Sequence, residues 1–106
     1  VARTARHRSK ESSDVTAEFL SELWNKQDGK CFYSGVEMVL PKFGAARSPN
    51  LASLDRQDSS RGYTQNNVVW CGWGCNRAKS NMTEEQFVQL CRIIVEHMDE
   101  KRAPAV

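Results

Sequence analysis

The chain has 106 residues, of which 26% are charged and 40% hydrophobic, and its formal net charge is +2. That length suits one compact domain with a small core, so a metal or a partner is expected to supplement it. Four cysteines are too few for a disulfide scaffold, and no apolar run is long enough to span a bilayer, so a soluble, intracellular protein is expected, in a bacterial or phage-infected cytoplasm.

The first twelve residues carry Arg3, Arg6, Arg8 and Lys10 with no apolar period, which predicts a flexible basic arm with some affinity for phosphate and no signal peptide. Acidic Glu96, Asp99 and Glu100 lie near the other end. A single domain is expected over residues 13–102, with a short tail over 103–106. Ser13 and Asp14 are helix-capping types, and Val15, Phe19, Leu20, Leu23 and Trp24 recur at helical spacing until Asp28-Gly29 stops the pattern. Aromatic and β-branched residues around Ser34-Gly35 predict a hairpin or knuckle over 30–40, closed by Pro41. Residues 42–50 read as a loop.

A strand around Ser53-Leu54-Asp55, a polar turn over 59–62 and a second strand over 67–71 form the next unit. A short helix is expected over 75–80. Thr83 and Gln86 form a capping box, and Phe87, Leu90, Cys91, Ile94, Val95 and Met98 trace one face of a last helix, expected to be core. The fold class is α+β, a hairpin and short helix packed between two longer helices.

Chemistry concentrates at the two ends of the hairpin. Asp55, Arg56 and Asp58 close the first strand, and Asn76, Arg77 and Lys79 open the helix after the second. If those ends face each other, an Asp55 oxygen and the Asn76 carbonyl form a half-filled, hard-oxygen shell suited to Mg2+ or Mn2+, with room for water and phosphate. Arg56, Arg61, Arg77 and Lys79 would bind nucleic-acid phosphates. The bland alternative has Asp55 and Asp58 merely capping a turn.

These residues resemble the HNH, or ββα-metal (His-Me finger), endonuclease superfamily. Cys31-Phe-Tyr-Ser-Gly35 looks like the knuckle before its motif, Leu54-Asp-Arg-Gln-Asp58 stands at its Asp-His strand, Gly62-Tyr-Thr-Gln-Asn-Asn67-Val68 at its loop and Asn, and Cys75-Asn-Arg-Ala-Lys79 at its helix start. More closely, the chain is similar to phage-type members with Ser-Leu-Asp-Arg-x-Asp, Gly-Tyr, Asn-Val and Asn-Arg-x-Lys, and the resemblance spans roughly residues 29–90. The resemblance implies a treble-clef-like ββα fold, metal-dependent hydrolysis of DNA, metal ligands at Asp55 and Asn76, and a structural Asn67. RNA as substrate stays open, as does the oligomeric state, a dimer included. Phage recombination, restriction or packaging are compatible settings.

One departure is serious. Arg56 takes the place of the water-activating histidine, and arginine stays protonated in proteins, so it is a poor base. His7 and His97 lie far along the chain. Asp58 is the candidate base, aligned also with the catalytic histidine of relatives that carry Asp-Arg-Gly-His. Cys31, Cys71 and Cys75 stand where some relatives bind Zn2+, but Ser34 breaks the first pair and three residues separate Cys71 from Cys75, so structural Zn2+ is the lesser expectation. Cys91 fits an apolar helix face. Trp70, Trp73 and Tyr63 are expected to pack rather than to stack on bases. The rival readings are a noncatalytic nucleic-acid-binding module and a zinc-stabilised interaction module.

Overall fold

A computed structural model describes residues 13–41 and 48–104. The basic arm, most of the 42–50 loop and the last two residues lie outside the described residues. The fold is α+β, with helix α1 (Ala17–Lys26), strands β1 (Ala52–Arg56) and β2 (Val68–Gly72), and helices α2 (Trp73–Lys79) and α3 (Glu84–Arg102).

α1 starts two to three residues later than its capping signals suggest. The cap is Thr16, whose hydroxyl accepts the Phe19 N–H. Asp14 is used elsewhere, as its carboxylate accepts the Gln65 N–H at 2.8 Å. The helix stops where Asp28 and Gly29 take left-handed backbone (φ 59° and 65°), which costs glycine nothing and aspartate little. Gln27, at the C-cap, then fastens α1 to the hairpin: its carboxamide donates to the Trp70 carbonyl and accepts the Trp70 N–H, both at 2.9 Å. The Trp70 indole donates to the Leu20 carbonyl and packs edge-on against Trp24. Trp70 is therefore half-buried and packed against the core.

Residues 30–37 form a knuckle. Lys30 and Glu37 bridge, the Cys31 N–H bonds the Val36 carbonyl, and Gly35 supplies the positive φ (73°) of the turn. β1 and β2 pair antiparallel from Ala52–Gly72 to Arg56–Val68. Gly72 permits a close approach there, since a Cβ at this position would stand 2.5 Å from the Pro49 carbonyl oxygen. α2 follows β2 without a break and begins two residues before the expected start. The small core gathers Cys31, Met38 and Cys71, with Trp24, Tyr33 and Trp70 around it.

α3 has the expected capping box, with both reciprocal Thr83–Gln86 bonds formed. Its apolar face is not core, contrary to the sequence reading. Phe87 alone among its residues is buried, against Tyr33 of the knuckle at 5.4 Å, and of the other helices and strands only α2 packs on α3. No helix among the described residues is long and apolar enough to cross a membrane.

Candidate metal centre

Two periodicities bring the centre together. On a strand, residues two apart share a face, so Ser53 and Asp55 point the same way; on a helix, residues three apart do, so Asn76 and Lys79 do too. α2 lies against that face of β1. The Asn76 amide donates to the Ser53 hydroxyl at 2.5 Å and to the Leu54 carbonyl at 3.3 Å, and the Lys79 ammonium sits 3.4 Å from Asp55 Oδ2. With its nitrogen spent on β1, Asn76 keeps its side-chain carbonyl oxygen for another partner.

Asp55 is 5% exposed. Its Oδ2 accepts the Tyr33 hydroxyl at 2.7 Å and faces Lys79, so both contacts hold one oxygen and orient the other. A charge-assisted bond of this kind is worth about 1.5–3 kcal/mol. Burial, then the Asp55 bond, push the Tyr33 phenol above its ordinary range, so it stays a donor. Tyr33 escaped the sequence reading. It lies 22 residues from Asp55, and no local pattern announces a contact across that span.

Lys79 corrects an expectation. It is fully buried, donates to the Arg56 carbonyl at 2.8 Å and pairs with Asp55, so its ammonium is a counter-charge inside the fold and not a phosphate contact. Arg56 is half-buried. Its guanidinium donates to the Arg61 carbonyl at 2.9 Å and lies over the Tyr63 ring at 5.1 Å, contacts that close the 57–62 turn. Arg61 bonds Asn66 through its own guanidinium. Arg77 is exposed on α2, over the Trp73 ring at 5.2 Å, where a phosphate can reach it.

Asp58 has the geometry of a turn cap. Its Oδ1 accepts both the Ser60 hydroxyl at 2.6 Å and the Ser60 N–H at 3.0 Å. Those two bonds hold its carboxyl below the ordinary aspartate range, which makes it a weaker base. Because the folded value is depressed, the cap holds above the unfolded pKa and is lost as pH falls through the folded one. Asn67, 2% exposed, ties the same loop: its Oδ1 accepts the Asp58 N–H at 3.0 Å, and its Nδ2 donates to the Asp58 and Gly62 carbonyls at 3.1 and 2.8 Å.

The residues fit a small divalent ion in donor type. An aspartate oxygen and an amide carbonyl are hard ligands, and the remaining positions would fall to water and substrate. Among the described residues, no three His, Cys, Asp or Glu side chains converge, so this is no closed protein cage. Cys31 and Cys75 place their sulfurs 3.9 Å apart, while Cys71 is wholly buried. Around Cys31 the backbone N–H groups of Ser34 and Gly72 point at the sulfur. Burial pushes the Cys31 thiol up, but its hydrogen bonds outweigh this and leave it below the ordinary value. Burial raises Cys75 to about 11. Purified protein should carry less than about 0.2 equivalents of zinc by elemental analysis and keep its melting temperature in chelator, since structural zinc sites fold with their metal. Stoichiometric zinc with a chelator-induced collapse would refute this.

Comparison of the chain with protein-family models, curated proteins and solved structures gives no match.

Proposed function

We propose that this chain is an HNH-like, Mg2+-dependent endonuclease that hydrolyses DNA phosphodiester bonds, with Asp55 and Asn76 as metal ligands on a ββα-metal unit. The observation that carries this reading is the orientation of two hard oxygens from opposite sides of one junction. Tyr33 and Lys79 hold Asp55 from one side, and Ser53 and the Leu54 carbonyl hold the Asn76 nitrogen from the other. A bound Mg2+ supplies Lewis-acid stabilisation of the charge that builds on the phosphate. Arg77 is the exposed cation nearest to this junction in sequence, and it takes a backbone phosphate.

Hydrolysis forms a bond from a water oxygen to phosphorus and breaks a phosphorus–oxygen bond to the sugar, and the water's proton leaves. With Arg56 turned to the loop and Asp58 engaged by Ser60, the reading assigns both to loop structure and the proton to solvent. The same two contacts favour the second reading, a module that binds nucleic acid without cutting it.

Plasmid nicking with Mg2+ or Mn2+ tests the proposal. Wild type is expected to cut, Asn76→Ala to lose about a hundredfold or more in rate, and Asp58→Ala less than about tenfold, the range left when a general base is not removed. Salt-sensitive DNA binding without cutting under either metal would establish the second reading. A loss of a thousandfold in Asp58→Ala would restore Asp58 as the base.

A further inference from the structure

Cys31 and Cys75 stand on the two segments that meet beside the junction. Cys31 lies in the knuckle two residues before Tyr33, and Cys75 lies on α2 immediately before Asn76. They are 44 positions apart in the chain, yet their sulfurs are 3.9 Å apart in space. Both are free thiols. A disulfide holds its sulfurs at about 2 Å, so closing this pair takes a movement of about 2 Å, shared between two side chains that each turn about one Cα–Cβ bond.

A buried cysteine is commonly an inert small hydrophobe. Two features set this pair apart. The Cys31 sulfur accepts the N–H groups of Ser34 at 3.4 Å and Gly72 at 3.3 Å, which stabilise it as a thiolate, the form that attacks a disulfide. Access differs between the two sulfurs as well. Cys75 is half-buried and reaches solvent, whereas Cys31 is 4% exposed. One sulfur can meet a small oxidant, and the other stands behind it as the nucleophile that resolves the product. Among the described residues no third His, Cys, Asp or Glu converges on the pair to make a metal site, which leaves its chemistry to the two sulfurs.

We propose that Cys31 and Cys75 are a reversible redox pair, a dithiol that a small disulfide such as glutathione disulfide converts into an internal bridge between the knuckle and α2. Cys75 loses its proton and attacks one sulfur of the small disulfide, and one glutathione leaves as a thiolate that takes up a proton. The Cys31 sulfur, its own proton lost, then attacks the Cys75 sulfur, and the second glutathione leaves in the same way. Two protein thiols are oxidised, and one small disulfide is reduced to two thiols. The bridge fastens the segment that carries Tyr33 to the helix that carries Asn76. The inference does not depend on the nuclease reading, since it concerns the covalent state of the chain alone.

The test holds the full chain in glutathione disulfide with a little reduced glutathione, then unfolds it with N-ethylmaleimide and maps the monomer's peptides by tandem mass spectrometry. A direct link from Cys31 to Cys75 is expected, with the maleimide on buried Cys71 and either maleimide or glutathione on exposed Cys91. The Cys91→Ser protein should form the same link. Closing a loop of this length constrains the unfolded chain, so the bridged protein should melt about 5 °C or more higher, and dithiothreitol should reverse both changes. Three results overturn the proposal: a Cys75 that keeps its thiol or its glutathione, a Cys75–Cys91 bridge in place of the expected one, or a bridged protein that melts no higher than the dithiol.

Discussion

Replacing Asp55 by Ala is expected to do two separable things: to abolish metal-dependent cleavage and to destabilise the fold by about 3–5 kcal/mol, the cost of leaving one member of a buried ion pair alone. Lys79 is fully buried and would face no carboxylate. The double variant Asp55→Ala/Lys79→Met removes both charges and keeps the volume of the long side chain. It should recover most of the stability in urea denaturation while remaining inactive, because an apolar replacement of a buried pair is often nearly neutral. This pair of proteins separates a ligand from a merely structural acid. If the double variant folds and cuts DNA at the wild-type rate, Asp55 holds no metal.

The second large effect falls on Asn67→Ala, which should cost about 3 kcal/mol, since three hydrogen bonds are lost and the partners at Asp58 and Gly62 are left short of theirs. For a domain of this size, that is a fall of more than about 10 °C in melting temperature. Asn67→Asp should recover only part of it, because a carboxylate can accept from the Asp58 N–H but cannot donate to two carbonyls. A melting temperature within about 2 °C of wild type for Asn67→Ala would show that the loop is held by its other contacts.

Much of the fold was legible where a signal was local. The Thr83–Gln86 capping box, the Asp28-Gly29 stop of α1 and the β1 and β2 segments are written in short-range residue types, and their boundaries shifted by only a residue or a few. α2 began early because Gly72 lets the chain leave β2 directly into Trp73, a backbone approach to Pro49 that no side-chain pattern encodes. The exposure of α3 was not legible. A stripe such as Phe87, Cys91, Ile94 and Met98 says that a helix has a face to cover, not whether the same chain covers it.

At the site, sequence pattern marked Asp55 and Asn76 as a pair, and the described contacts orient both. It misassigned Lys79, whose burial depends on how α2 lies across β1, a tertiary relation that a basic residue near a motif does not reveal. Tyr33 was missed for the same reason. For Asp58 two readings competed, a base or a turn cap, and the Ser60 bonds have the geometry of the cap.

The Lys79–Asp55 contact has a consequence for how such a centre is kept ready. Lys79 is a cation covalently built into the chain, held where a carboxylate would otherwise repel the oxygens around it. A domain furnished in this way has no need to wait for an ion before it becomes shaped. Under the proposed function, the ion would then meet a site whose carboxylate is already oriented, and its arrival would arm the site without having to shape it.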